Sequence, residues 1–343
     1  MITYRIYLPV FAISAAFLLN LGCKNEKKAT PAAFQQVLED PEITRMTQLL
    51  AENPTNDSLL YRRAAAYYQL DGYDEALIDL GQAIQLDSFQ PAYYHLMADV
   101  LLDYGRPNDS KRAIDVLKMA IQKFPGRIPT LLKLSEFQLI VKKHSDALSS
   151  LNEILLKDPE NAEAFYMSGR VALDKGDTTN AIASFKKSTK IDATNVDAWM
   201  LLGRIFTNKG NPLAVQYFDN ALQMDSTNLE AREFKAAFYK RTGQFAKAFD
   251  VYSDIIARNP DYSNAYFDMA LMYLELDSFP QAKLNFDLAI KTDPLFVNAY
   301  YYRGVCAEMQ GDKAGALADY IQANKMSPEF PEAKAARARL EKK

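Results

Sequence analysis

Turn-forming pairs recur along this chain at an almost constant interval, and that interval decides what it can fold into. Asn53-Pro54, Asp87-Ser88, Phe124-Pro125, Asp158-Pro159, Asp192-Ala193, Asp225-Ser226, Asn259-Pro260, Asp293-Pro294 and Ser327-Pro328 are separated by 34, 37, 34, 34, 33, 34, 34 and 34 residues. A fixed period of this length means stacked copies of one small structural unit, and eight intervals define eight units.

Within the units certain places carry fixed demands. An alanine stands about twenty places in, at Ala76, Ala113, Ala147, Ala181, Ala214, Ala248, Ala282 and Ala316. An earlier place is always small: Ala64, Ala98, Ser135, Gly169, Gly203, Ala236, Ala270 and Gly304. Four places after each alanine comes a large apolar residue: Leu80, Leu117, Leu151, Phe185, Phe218, Tyr252, Phe286 and Tyr320. A second bulky place opens each unit, with Leu60, Tyr94, Leu131, Phe165, Trp199, Tyr266 and Tyr300, and Arg232 breaks that series. On this pattern Trp199 belongs to the core rather than to a ligand platform.

Apolar residues at spacings of three and four in each half-unit predict two amphipathic helices, and Gly72, Gly105, Gly176, Gly210, Gly243 and Gly311 fall where the first must stop. One such hairpin cannot bury both of its faces, so neighbours must stack. Small and bulky places at a 34-residue period resemble the tetratricopeptide repeat (TPR) family, over residues 57–330 without a gap. The resemblance implies an all-α, right-handed superhelical solenoid of about eight helical hairpins with terminal capping helices. The repeats run 57–90, 91–127, 128–161, 162–195, 196–228, 229–262, 263–296 and 297–330. Extra residues around Arg106–Ser110 are expected to lengthen the turn of the second repeat, and one residue is missing near Asn211-Pro212.

The flanks read differently. Residues 34–56 look like a partial repeat or N-terminal cap, with a helix over Phe34–Leu38, a break near Asp40-Pro41, and Met46 in a bulky place. Residues 331–343, rich in Ala, Arg and Lys, read as a solvating C-terminal cap helix. At the start, Arg5 precedes the apolar run Ile6–Leu19, which is interrupted by Pro9 and falls short of the roughly 20 residues that a spanning helix needs. Residues 1–22 therefore read as a signal peptide. Gly22 directly before Cys23 resembles the lipobox of bacterial lipoproteins, with Asn20 where that family has Leu. The resemblance implies cleavage before Cys23, acyl chains on Cys23, and residues 23–33 as a tether. Lys24 after the cysteine points by the same resemblance to the outer membrane. The other reading is a signal peptide cut elsewhere, with Cys23 incidental.

Chemistry has little material to work with. The only histidines, His95 and His144, sit in different repeats, no glycine-rich phosphate loop occurs, and without Cys23 the thiol of Cys306 has nothing to pair with. No catalytic residue, metal site or cofactor is expected. A formal net charge of -3 cannot supply the positive field that phosphate backbones reward, so nucleic acid is set aside. A protein or peptide partner is expected instead, with self-association open.

In the family resembled, the first helix of each hairpin lines a concave groove through the second, fifth, ninth, twelfth and thirteenth places. Carried onto this chain, the rule gives a middle patch of Glu163, Tyr166, Arg170, Asp174, Asp197, Met200, Arg204 and Asn208. It also gives a C-terminal patch of Asn264, Phe267, Leu271, Asn298, Tyr301 and Val305. The guanidiniums of the first suit a carboxylate, and the asparagines of the second suit an extended backbone. The bland alternative is a self-paired face, with Arg170 meeting Glu163 or Asp174 and Phe267 packing on its neighbours. The Lys/Asn clamp with which one subclass grips chaperone tails is not matched by Tyr61/Ala65, His95/Asp99 or Leu132/Glu136. The function expected is thus a non-enzymatic scaffold in the bacterial envelope. The rival is a glycan- or nutrient-binding lipoprotein, whose family carries large loop insertions.

Overall fold

The computed structural model describes residues 40–341. Cys23, the tether and the helix expected over Phe34–Leu38 lie outside the described residues. Among the described residues there are eighteen helices and no strand, in two compact units that divide after Pro159. The first unit holds α1 (Pro41–Glu52), α2 (Asp57–Gln69), α3 (Tyr73–Leu86), α4 (Pro91–Tyr104), α5 (Asp109–Lys123), α6 (Ile128–Ile140) and α7 (His144–Lys157). The second begins with α8 (Ala162–Asp174), α9 (Thr178–Ile191), α10 (Val196–Asn208), α11 (Leu213–Met224), α12 (Leu229–Arg241) and α13 (Phe245–Arg258). It ends with α14 (Ser263–Glu275), α15 (Phe279–Thr292), α16 (Val297–Met309), α17 (Lys313–Met326) and α18 (Pro331–Glu341). Within each unit consecutive helices pack as hairpins, and first helices of neighbouring hairpins also meet, α2 with α4, α4 with α6 and α10 with α12. The all-α solenoid of hairpins expected from the period is what forms.

The repeated small and large places explain why. All eight alanines from Ala76 to Ala316 are fully buried, as are Leu80, Leu117, Leu151, Phe185, Phe218 and Phe286. Where the facing small place is glycine the approach is closest. A Cβ added to Gly203 would stand 2.4 Å from the Phe218 ring, and one on Gly169 would stand 2.5 Å from Phe185. The aromatic knob of the second helix therefore lies directly on the bare backbone of the first.

Turns are secured by side chains from the next unit and by caps. Asn56, Asn161, Asn195 and Asn228 each accept the N–H three residues on, starting α2, α8, α10 and α12. Asp87, Asp192 and Asp225 accept the N–H two residues on. Hydrogen bonds from the side chains of Gln90, Thr194 and Thr227, with those backbone bonds, hold the three carboxyls below the usual range.

Several expectations need correction. Gly72 has φ −79°, and the left-handed residue of the first hairpin turn is Asp71, one place earlier, at φ +59°. Gly176, Gly243 and Gly311 occupy that same place in later repeats, whereas Lys142 and Asp277 take it in the third and seventh. The three extra residues of the second repeat are not confined to its turn. A regular hairpin joins helices of 13 and 14 residues. Here α4 has 14 and α5 has 15, so each helix gains one and the turn gains the third. In the fifth repeat α11 has 12 residues, two fewer than usual, and the turn before it has one more, which leaves the unit one short.

Trp199 is half-buried rather than in the core. Its ring stacks 6.0 Å from Tyr217, and its indole N–H donates to the Ala193 carbonyl at 2.9 Å. The same bond to the carbonyl six residues back comes from Tyr94 to Ser88 (3.1 Å) and Tyr300 to Pro294 (3.3 Å). Arg232 makes it too, to Ser226 at 2.5 Å, while its Nε donates to Asp254 at 2.8 Å. Arg232 thus breaks the apolar series, yet it is buried at that place and makes the bond that Tyr94, Trp199 and Tyr300 make.

At the ends, α1 buries Ile43, Met46 and Leu50 behind an Asp40 cap with Pro41 at its first position. α18 buries only Ala333 and Ala336, as a helix with one neighbour should.

Candidate functional site

In the second unit the first helices α8, α10, α14 and α16 carry all fourteen residues expected at a partner site. Tyr166 is half-buried with its ring 6.0 Å from Phe185, and the Arg170 guanidinium lies 5.9 Å from the Tyr166 centroid. Arg170 Nη1 also reaches Met167 Sδ at 3.5 Å. On α10, Arg204 is half-buried with its guanidinium 5.4 Å over the Phe234 ring, and Asn208, one turn on, is exposed. Met200, expected on the open face, is only 6% exposed and belongs to the hydrophobic core of this unit.

The C-terminal residues divide by kind. Phe267 is half-buried among the rings of Phe286, Phe296 and Tyr302, at 5.6, 4.7 and 5.8 Å. Tyr301 is likewise half-buried between Tyr302, Tyr320 and Phe330. Both rings are engaged by packing, which leaves Asn264 and Asn298 as the exposed members of that patch. Asn264 Nδ2 is 3.4 Å from the Tyr262 hydroxyl.

Sequence reasoning passed over a set of ion pairs along these helices. Arg303 of α16 bonds Asp319 of its own hairpin and, at 2.7 Å, Asp287 of the hairpin before. Arg63 of α2 does the same with two 2.7 Å bonds to Asp79 and one of 3.2 Å to Thr47 of α1. The available signal was an arginine one place before the small residue, sixteen residues from an acid or hydroxyl on each side. In α12, Lys240 pairs with Asp268 at 2.6 Å, and Glu233 accepts from the Tyr262 hydroxyl. Burial, outweighing that bond, holds the Glu233 carboxyl above the usual range.

In the first unit the same face carries His95, 2.9 Å from Thr130 Oγ1, and the pair Lys133–Asp99 at 2.7 Å. Burial, with Lys133 and Arg127 nearby, lowers His95 from 6.5 to about 4. The folded chain thus refuses a proton that the unfolded chain accepts, so stability falls as pH drops from about 6.5 towards 4. Denaturant titrations at neutral pH and near pH 5 should show the wild type losing about 1 kcal/mol more than His95→Gln, allowing for partial exposure. Equal losses would show that His95 does not titrate in this way.

Among the described residues no group of His, Cys, Asp and Glu could hold a metal ion, and no helix is long and apolar enough to cross a membrane. Cys306 is fully buried, and burial pushes its thiol up to about 12. What the first-helix face offers is guanidinium, amide and aromatic surface.

Comparison with known proteins agrees with the hairpin pattern over part of the chain. Residues 142–196 and 267–334 match the tetratricopeptide repeat. Those two stretches carry tetratricopeptide repeats. A BBSome complex member, BBS4, of Bos taurus is 24% identical over 90% of this chain and 59% of its own length. A TPR repeat-containing protein of Methanocaldococcus jannaschii is 26% identical over 53% of this chain and 35% of its own. The chain thus spans between about a third and three fifths of the length of these curated relatives. Among solved structures, the C-terminal part of a TPR repeat-containing protein from Cytophaga hutchinsonii covers 71% of this chain and 98% of its own, at 20% identity and a TM-score of 0.60. That likeness is one of fold, and it agrees with the hairpins described above.

Proposed function

We propose that this chain is a non-enzymatic scaffold, tethered by acyl chains on Cys23 to the outer membrane of a bacterial envelope, that holds a protein or peptide partner on the first-helix face of its tetratricopeptide repeats. One observation carries the reading. The places that repeat without change are spent on packing, whereas the second, ninth and thirteenth places vary from repeat to repeat and reach the surface at Glu163, Asp197, Asn208, Glu230, Ala237, Asn264 and Asn298. A face that changes identity along a constant frame suits the recognition of one extended partner by many small contacts. The Bos taurus relative, by its name a member of a complex, is consistent with such a role.

The test is capture from a detergent-solubilised envelope extract of the source organism, on the chain from Cys23 onward and on the same chain with Arg170→Glu and Arg204→Glu. A protein retained by the first and lost from the second supports the scaffold and the middle patch together. Retention of the same protein by both keeps the scaffold and moves the contact off the middle patch. Retention of no protein by either overturns the reading and turns attention to glycans.

A further inference from the structure

Charged side chains along the first helices follow a rule, and Arg204 departs from it. Arg63, Arg232 and Arg303 each meet an aspartate, as do Lys235 and Lys240. These pairs answer a simple demand: a partly desolvated cation needs hydrogen-bonding acceptors to replace the water it has lost. Arg204 is also half-buried, yet among the described residues no carboxylate pairs with it, and its recorded partner is the face of Phe234 at 5.4 Å. A ring face holds a guanidinium in place but supplies no oxygen acceptor to its N–H groups, which stay open to a ligand.

The mount is rigid. Phe234 stacks on Phe218 with ring centroids 5.9 Å apart and planes 13° from parallel, and Phe218 is fully buried on Gly203. Arg204 is thus held, from beneath, by two rings and a backbone, which cuts the ordering cost of binding. Asn208 lies four residues on, exposed and on the same helix face, with an amide able to donate beside the guanidinium.

We infer that this face of α10 receives an aspartate or glutamate side chain from an extended peptide segment of the partner, with Arg204 as the ion-pairing residue, Asn208 as its hydrogen-bonding neighbour and Phe234 as its platform. The inference rests on the scaffold reading and names the chemistry that the partner must bring. An acidic side chain fits better than a chain terminus, because first-helix faces continue on both sides of α10, through α8 and α12, so a bound segment runs past Arg204.

The probe is a randomised library of peptides of about twelve residues, N-acetylated and C-amidated so that only side chains carry charge, presented to the full chain. Enriched peptides should share Asp or Glu at one position. Changing it to the amide should weaken binding about tenfold, consistent with loss of a charge-assisted bond. Arg204→Gln should weaken the same peptide about as much, the two changes together should cost little more than either alone, and Lys190→Gln on the exposed side of α9 should leave binding unchanged. An unchanged melting temperature for Arg204→Gln separates lost contact from lost fold. Enriched peptides with no shared acid, or an acidic peptide that binds Arg204→Gln within about twofold of wild type, would overturn the inference while the scaffold stands. A library that yields no binder counts against this inference and the peptide-binding reading alike, whereas a captured protein that the Arg204→Gln chain still retains counts against this inference alone.

Discussion

Replacing Phe218 with alanine is expected to cost about 3–5 kcal/mol, among the largest losses available to a single side chain here. The ring is fully buried and presses on Gly203, so nothing opposite can swing in to fill the space that it leaves. A coupled measurement makes the prediction sharper. Alone, Gly203→Ala thrusts a methyl to within 2.4 Å of the ring and should destabilise by about 1–2 kcal/mol, overpacking outweighing the gain in helix propensity. With Phe218→Ala already in place the clash is gone, the propensity gain remains, and the same substitution should stabilise. Denaturant titration of the four forms reads this directly, and a Gly203→Ala effect of constant sign would mean the two residues are not in contact.

Arg63→Met should cost about 3 kcal/mol, because it leaves the Asp79 carboxylate, only 4% exposed, without its bidentate partner. It also removes the bond to Thr47, one of the polar ties between α1 and the first hairpin. The loss is a penalty for stranding a charge rather than a measure of what the pair contributes. Arg63→Met with Asp79→Leu should therefore recover most of the stability, as an apolar pair fills the same volume without charge. If the double form is as unstable as the single, the role of Arg63 is the packing of its stem and not its charge.

The fold was legible because one requirement is stated eight times. Any single Ala76 or Leu80 is uninformative, but eight alanines each followed at four by a large apolar residue leave only the stacked hairpin. The candidate site was less legible, and the reason is physical. A place in the repeat fixes the direction in which a side chain leaves the helix, but not what the next hairpin lays over it. Met200 stands at a groove place and is nonetheless buried in the core; Phe267 stands at another and meets three rings. Arg232 shows a related limit: an arginine at a bulky place reads as a break in the pattern, and only the structure shows it buried and bonded to the turn carbonyl as Tyr94, Trp199 and Tyr300 are. Gly72, expected where the first helix stops, instead precedes the start of the second, because composition marks a turn more coarsely than backbone geometry does.

The bond from Tyr94, Trp199, Arg232 and Tyr300 to the carbonyl six residues earlier gives the chain a direction. Each of those carbonyls belongs to the turn that closes one hairpin, while the donor belongs to the hairpin that follows. A turn of this kind is fastened from downstream. Shortening the chain at a repeat boundary would leave the last retained turn open, whereas a cut placed after the next first helix would keep it closed. The natural cutting points of the stack therefore fall half a repeat away from the boundaries that the sequence period draws.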